Sequence, residues 1–217
     1  PLQLSESTDI GRIEGFDPDA LPWGAHVETR TRTERRLDPL TLEMTETSRE
    51  YQALVQPLGY LGHVLRLMLQ TLEIALWGTV VAVLVGAPLA LFGARGYSPH
   101  PMLYLAARGT ASFLRSVPEL ISALFLVLAF GFGPIAGVLA LGLHTAGFLG
   151  KFFAEDIENA AKGPQDALRA TGAGRLRVLR YAVMPQVIPS YLGYVQYILE
   201  RNVRTATVIG IVGAGGI

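Results

Sequence analysis

Three long stretches without charged side chains constrain this sequence more than any other feature. They cover residues 74–94, 120–150 and 181–199, which are 21, 31 and 19 residues long. At 1.5 Å per residue, about 20 apolar residues cross a hydrocarbon core about 30 Å thick. An unusually apolar soluble core is the weaker alternative, because such runs rarely recur in soluble proteins. We therefore predict an all-α integral membrane protein.

The middle stretch is too long for one span and is interrupted by "GFGP" at residues 131–134. Glycine and proline end or break helices, so two helices joined by a tight turn fit this stretch best. With the first and third stretches, this predicts four spanning segments.

Basic side chains in the loops set the predicted topology, because loops rich in lysine and arginine stay in the cytoplasm. The loops after the first and third spans hold Arg95, Arg108, Arg115, Lys151, Lys162, Arg169, Arg175, Arg177 and Arg180. Both loops are therefore predicted to be cytoplasmic, with residues 102–117 forming an amphipathic helix along the inner interface. Residues 1–65 form a polar extracytoplasmic segment, and residues 66–217 form the transmembrane domain.

Within the polar segment, residues 26–47 read "HVETRTRTERRLDPLTLEMTET" and alternate charged side chains with threonine or apolar ones. A hairpin turning at Asp38–Pro39 and a solvated linker both fit this pattern. Because an isolated two-stranded hairpin is marginally stable in water, the linker is favoured.

The cytoplasmic loop at residues 156–185 contains signals for two short helices. Pro164 suits the first turn of a helix, Asp166 places negative charge there, and Gly172 can adopt the left-handed conformation that ends it. These residues predict a helix over 164–171, followed by an arginine-rich helix over 175–181. Pro185 then marks the entry of the next span.

This loop resembles the coupling motif of ABC-importer permeases. The motif has an acidic residue and two small residues, then a glycine, and later a hydrophobic triplet ending in proline. Asp166, Ala167 and Leu168 stand at the first three places, with Gly172 and Pro185 at the later ones. The departures are aspartate for glutamate and leucine for the second small residue. In that family the loop docks as a coupling helix on a cytoplasmic ATPase, which implies coupling roles for Asp166, Ala167, Arg169, Gly172, Arg175 and Pro185.

More narrowly, "HTAGFLGKFFAEDIE", "ALRATGA", "MPQVIP" and "ERNVRTATVIGIVGAGGI" are similar to phosphonate-type ABC permeases, a family that includes phosphite importers. The resemblance covers residues 72–217. It implies the helix bundle of a type I importer permease in the bacterial plasma membrane, spanning it several times. The family's usual first and last spanning helices are not recognised here, so a further helix is expected beyond each end of this sequence.

The resemblance also implies partners and a division of labour. Two permease subunits, identical or closely related, would form the pathway, and each would couple to one subunit of a cytoplasmic ATPase dimer. An external phosphonate-binding protein would deliver the substrate. ATP and magnesium would bind to the ATPase, so this chain is expected to hold no cofactor and to be a transport subunit rather than an enzyme. An importer of another small solute, such as methionine, is the alternative, and "ERNVRTATV" argues against it.

Other classes of function lack support in the sequence. There is no cysteine, no H-E-x-x-H pair, no Walker A loop and no basic patch interleaved with aromatic residues. The first two exclude thiolate and zincin metal sites, and the last argues against nucleic-acid binding. Membrane lipid and the protein partners above are the expected contacts.

The final residues 206–217, "ATVIGIVGAGGI", could be mistaken for a strand entering the glycine turn of a dinucleotide-binding fold. No third glycine, following helix or distant acidic residue is present to support that interpretation. Since small residues allow membrane helices to pack closely, and since this end belongs to the gate region in the resembled family, we assign these glycines to helix packing and chain bending.

Ionisable side chains within or beside spans are rare and costly, so they are candidates for the substrate pathway. We single out the ionisable residues Glu119, His144, Glu200 and Arg204, together with the polar Asn202 near Arg204. Glu200 and Arg204 stand in the favourable order for a helical ion pair, in which the arginine would attract an oxyanion. Snorkelling at the outer interface is the alternative for this pair. His144 fits core packing better than a proton relay, and Glu119 fits helix capping as well as gating.

Overall fold

The computed structural model describes residues 6–12, 21, 24–37, 44–57 and 59–216. The chain divides into two compact units, Pro1–Arg66 and Leu67–Ile217. Three strands come first, namely β1 (Glu6–Asp9), β2 (His26–Leu37) and β3 (Met44–Gln56). Seven helices follow among the described residues: α1 (Gly59–Gly93), α2 (Pro101–Ser116), α3 (Glu119–Phe130), α4 (Pro134–Asn159), α5 (Lys162–Ala170), α6 (Arg175–Val178) and α7 (Met184–Gly210).

The N-terminal unit is a three-stranded antiparallel sheet in the order β1-β3-β2. β2 and β3 pair along their whole length, from His26 opposite Val55 to Leu37 opposite Met44. The favoured linker interpretation is therefore wrong, although the turn at Asp38–Pro39 lies outside the described residues. β1 supplies the reason, because its pairing gives β3 a ladder on both sides and three strands are stable where two are not.

In the second unit, α4 is the central helix. It packs against α2, α3 and α7, and its buried residues include Gly137, Gly142, Gly147 and Gly150. A Cβ added to Gly142 would lie 2.6 Å from Cγ1 of Val81 on α1. Small residues of this kind let membrane helices approach backbone to backbone, where dispersion rather than water exclusion holds them together. The predicted all-α bundle is thus present in this unit.

The number of spanning helices differs from the prediction. Among the described residues, α1 and α4 are long and apolar enough to cross a membrane, and α2 with α3 would add one broken span bent by 91°. α3 has 12 residues and is therefore about 18 Å long, too short to cross alone. α7 has 27 residues, but its charged and polar residues keep it outside the apolar set. The middle stretch therefore holds one helix of spanning length, α4, rather than two, and the predicted span at residues 181–199 stays a prediction.

The bend between α2 and α3 falls at Val117–Pro118. α2 covers Pro101–Ser116, close to the predicted amphipathic segment. A residue before proline is disfavoured in the helical conformation, and Val117 is extended, with φ −84° and ψ 121°. The helix therefore stops there, which leaves the carbonyl of Val117 free for another partner.

The glycine-rich end continues α7 rather than forming a strand. Ala206 to Gly210 are helical, and the chain then turns through Gly213, Gly215 and Gly216, which have φ between 80° and 86°. Gly213 accepts a hydrogen bond from the backbone N–H of Gly133 at 3.1 Å, so this end packs against the "GFGP" turn. The assignment to chain bending and close packing is confirmed.

Replacement of Gly147 by alanine is expected to destabilise the bundle. The new Cβ would lie 2.6 Å from the backbone oxygen of Ala111 and 2.9 Å from the backbone nitrogen of Arg115. Overpacking against backbone typically costs about 1–3 kcal/mol. Gly109→Ala on α2 is the matched control, because nothing lies within 4 Å of its added Cβ. Thermal unfolding in detergent would measure both, and equal melting temperatures would contradict the close packing of α2 on α4.

Candidate functional site

A buried ionic cluster lies where α3 begins, and it joins α3, α4 and α7. His144 Nε2 is 2.9 Å from Glu119 Oε2, and Arg201 Nη2 is 3.2 Å from the same oxygen. The side chain of His144 is 7% exposed, whereas those of Glu119 and Arg201 are 25% and 27% exposed. The cluster therefore has one buried member, His144, and two members that are partly exposed at the surface of this chain.

Both ring nitrogens of His144 face acceptors. Nδ1 lies 2.9 Å from the carbonyl oxygen of Val117, which the bend leaves without a helical partner. Nε2 lies 2.9 Å from the Glu119 carboxylate. Arg201 Nη2 lies 3.3 Å from the same Nε2. His144 therefore joins the bend at Val117 to both Glu119 and Arg201.

Aromatic and cationic side chains surround this cluster. The guanidinium carbon of Arg201 lies 4.8 Å from the ring centroid of Phe148, and that of Arg115 lies 5.4 Å from the same centroid. The His144 ring meets Phe148 edge to face with centroids 5.4 Å apart. Stacking on a ring stabilises a weakly hydrated guanidinium away from bulk water.

A second polar network joins α7 to α1 and α4 and involves only neutral groups. Asn202 donates from Nδ2 to Thr79 Oγ1 at 2.9 Å, and its Oδ1 accepts from Thr145 Oγ1 at 3.2 Å. Thr79 in turn donates to the carbonyl of Ala75 at 2.8 Å. All three side chains are buried, so the amide ties α7 to α1 and α4. This structure gives Asn202 a clear packing role; a contribution to the pathway stays a prediction.

Glu200 and Arg204 form the helical pair that their spacing predicts, at 3.1 Å. Their side chains are 72% and 80% exposed, so they lie on the outer face of α7 rather than with the buried cluster. The five residues predicted from the sequence therefore separate into three places: Glu119 with His144, Asn202 alone, and Glu200 with Arg204. Their role in a substrate pathway stays a prediction.

The loop at residues 162–183 forms the predicted pair of short helices with different bounds. α5 begins at Lys162 rather than at residue 164, and Gly172 follows it in the left-handed conformation, with φ 77°. The second helix is short because α6 passes into a π-helical turn at Leu179–Val183. The left-handed Gly172 is confirmed as the residue that ends α5.

The six residues with predicted coupling roles are distributed over α5, the turn after it, the start of α6 and the start of α7, and all of them are exposed: Asp166, Ala167, Arg169, Gly172, Arg175 and Pro185. Asp166 and Arg169 form a surface ion pair at 3.3 Å, and Pro185 lies in the first turn of α7. Gln165 is the buried residue of α5. The helix thus presents nearly its whole surface to a partner while one side chain anchors it.

Gln165 was missed by sequence reasoning, and its contacts explain how α5 is held. Its Oε1 accepts from the hydroxyl of Tyr97 at 3.0 Å, and its Nε2 donates to the carbonyl of Ala160 at 3.1 Å. Burial raises the pKa of Tyr97, and Arg169 opposes this shift, so the phenol stays protonated and donates. The side chain therefore links α5 to the loop after α1 and to the end of α4.

Glu158 is a second anchor that the sequence did not reveal. Its Oε2 pairs with Arg108 Nη2 at 2.8 Å, and its Oε1 accepts from the backbone N–H of Arg95 at 2.7 Å. This carboxylate thus joins the end of α4 to α2 and to the loop after α1. No periodicity could have found it, because its partners are 50 and 63 residues away.

The helical fold is that of an ABC importer permease. It is similar to an inward-facing structure of the MetNI methionine ABC transporter, with a TM-score of 0.61, 21% identity, and coverage of 70% of this chain and 76% of that one. At this identity the likeness shows the fold alone. Residues 63–217 match the family described as binding-protein-dependent transport system inner membrane component, and the chain belongs to this family.

Two relatives confirm the predicted resemblance to phosphonate-type permeases. The HtxE protein of Stutzerimonas stutzeri, named for a phosphite transport system, is 52% identical over 217 residues, which cover all of this chain and 83% of HtxE. The phosphate-import permease PhnE of Mycolicibacterium smegmatis is 45% identical over 151 residues, covering 70% of this chain and 28% of PhnE. The chain is a membrane transport permease and not an enzyme; members of its family work with ABC ATPases and substrate-binding proteins.

Asn202→Ala is expected to lower stability through its neighbours. Removing the amide leaves the buried hydroxyl of Thr145 without its acceptor and takes a donor from Thr79, at a cost of about 1–3 kcal/mol. Thr207→Ala, which removes an exposed hydroxyl that donates to a backbone carbonyl on the same helix, is the control. Thermal unfolding in detergent compares them. Similar melting temperatures for the two variants would show that the amide does not join the three helices.

Proposed function

We propose that this chain is the permease subunit of an ATP-driven importer for phosphite, phosphonates or a related phosphorus oxyanion. The observation that carries the proposal is the exposed helix α5, which bears the coupling motif and is anchored by Gln165. The names of HtxE and PhnE, which refer to phosphite and phosphate, support the class of substrate. The protein would lie in the inner membrane of a bacterium and would cross that membrane several times.

The contacts around α5 support a mechanical role. A displacement of this helix would pull on Tyr97 and on the end of α4 through Gln165. It would also reach the start of α7, because Gln186 Oε1 accepts from the backbone N–H of Ala161 at 3.0 Å. Motion of a docked ATPase would therefore change the positions of α4, α5 and α7 together.

The partners follow from this role. We propose a second permease subunit, a cytoplasmic ATPase dimer that holds ATP and magnesium, and an external binding protein that delivers the anion. The exposed surface of α7 supports a neighbouring subunit, because large apolar side chains are exposed along the length of the helix: Ile188, Leu192, Tyr197 and Val208. These side chains need either lipid or another apolar helix as a neighbour.

A methionine importer is the weaker candidate. The structural likeness to MetNI comes with 21% identity and shows only the shared fold, whereas the phosphite permease HtxE is 52% identical over the whole chain. In addition, Arg201 and His144 at the bend of the α2–α3 pair both contact a carboxylate of the chain, an arrangement that suits an anion better than a zwitterion.

Reconstitution of the complete transporter in proteoliposomes tests the function. ATP hydrolysis is expected to rise when the binding protein is supplied with phosphite or a phosphonate, because a loaded binding protein starts the transport cycle. Phosphate and methionine serve as comparison solutes at the same concentration. Stimulation by methionine without any response to the phosphorus oxyanions would reject the proposed substrate class.

Gly172→Val is expected to uncouple the ATPase from transport. A β-branched residue with φ 77° is strained by about 1–2 kcal/mol, so the end of α5 would change shape. Gly174→Val is the matched control in the same loop, because φ there is −69° and an added Cβ meets nothing within 4 Å. The measurements are ATP hydrolysis and uptake by the reconstituted complex. Equal uptake per ATP in both variants would contradict a coupling role for this turn.

A further inference from the structure

We propose that Arg201, His144 and Arg115 form a binding site for the transported oxyanion at the bend between α2 and α3, and that Glu119 occupies this site when no anion is bound. This inference rests on the proposed function, since it names where the same class of substrate is held within the permease. It assigns the pathway to Arg201 rather than to Arg204.

The balance of charge in the cluster supports an anionic ligand. The guanidinium groups of Arg115 and Arg201 both lie against the Phe148 ring, and His144 Nε2 lies within hydrogen-bond distance of Arg201 and Glu119. Against these cations, Glu119 is the one carboxylate paired with the cluster in the described part of the chain. Surplus positive charge within apolar helices is costly, and an anion removes that cost.

The Glu119 carboxylate shows how an oxyanion would be held. Its Oε2 is shared between His144 Nε2 at 2.9 Å and Arg201 Nη2 at 3.2 Å, and its Oε1 lies 3.4 Å from the same arginine nitrogen. Oxygen atoms of phosphite or a phosphonate accept from the same donors, and charge-assisted bonds of this kind are strong and directional. The substrate therefore matches a position that a carboxylate of the chain already fills.

The position of Glu119 in the fold allows it to exchange with the substrate. It is the first residue of α3, directly after the 91° bend, while His144 and Arg201 belong to the long helices α4 and α7. A small rotation of α3 about the bend would withdraw the carboxylate from His144 and Arg201. The partial exposure of Glu119 and Arg201 leaves the site open to the surface of this chain.

Competition between the Glu119 carboxylate and the bound oxyanion would also allow the oxyanion to be released. A site for passage has to bind an ion well enough to accept it and weakly enough to let it go. A returning carboxylate would displace the oxyanion from Arg201 without help from water. Arg204 has no comparable arrangement, because its charge is balanced by Glu200 on an exposed helical face.

The first test compares Arg201→Gln with Arg66→Gln in the assembled transporter. Arg66 is an exposed arginine of α1, and its replacement removes the same charge away from the cluster. Binding of radiolabelled phosphite to the purified permease–ATPase complex, without the binding protein, is the readout. Arg201→Gln is expected to weaken binding by about tenfold or more, since it removes charged hydrogen bonds, while Arg66→Gln keeps the original affinity. Arg204→Gln is expected to lose less phosphite affinity than Arg201→Gln.

The second test uses Glu119→Gln, for which the proposal predicts an effect of opposite sign. Without its competitor the site is expected to bind phosphite more tightly, while uptake into proteoliposomes becomes slower because release is impaired. Glu119→Asp, which keeps the charge, is expected to restore part of the uptake. A purely structural ion pair would instead make Glu119→Gln and Arg201→Gln equally unstable, with no gain in phosphite affinity for either.

The results of these two tests distinguish failure of the proposed binding site from failure of the proposed transport function. Unchanged phosphite affinity in Arg201→Gln, with uptake of phosphite intact, overturns the site and leaves the importer proposal standing. Failure of the unmodified transporter to take up phosphite, phosphate or any phosphonate overturns the function instead. Weaker binding in Arg201→Gln together with tighter binding in Glu119→Gln, at melting temperatures close to that of the unmodified complex, supports the site.

Discussion

The close approach of α4 to its neighbours is the constraint on which the rest of the helical unit depends. Glycine at positions 142, 147 and 150 brings backbone and Cβ atoms of α1 and α2 to distances that no larger residue allows. In a membrane, water does not drive apolar helices together, so contact area and polar bonds must hold them. This close packing sets the geometry in which the buried polar groups of α4, including His144 and Thr145, meet partners on other helices.

Polar groups buried among these helices are satisfied in two different ways. The amide of Asn202 has neutral partners on two other helices, which makes it a fixed bond within the bundle. The cluster at Glu119 instead combines two arginines and a histidine with one carboxylate and lies beside a broken helix. A balanced network favours one arrangement, whereas an unbalanced one changes when an ion enters or leaves. The first therefore stabilises the fold, and the second suits transport.

The sequence predicts well whatever depends on local composition or on neighbours within one helix. Uncharged stretches locate α1 and α4, and a single glycine locates the end of α5. Prediction from the sequence fails where two interacting residues are distant along the chain. Helical spacing pairs Glu200 with Arg204, but the partner of Arg201 is Glu119, 82 residues away. For the same reason the linker interpretation missed β1, whose pairing with β3 cannot be recognised from a local pattern.

α4 connects the coupling helix, at its C-terminal end, with the ionic cluster, near its middle. Ala160, at its cytoplasmic end in the predicted topology, accepts from Gln165 of α5, and His144 lies 16 residues earlier, about 24 Å along the axis. These residues lie along one continuous helix, so a displacement at its end would be transmitted along its axis. A displacement of α5 would then shift His144 relative to Glu119, which belongs to the separate short helix α3. Because the bend uncouples α3 from α2, the motion that starts at the ATPase would open the one contact that has to exchange with the anion.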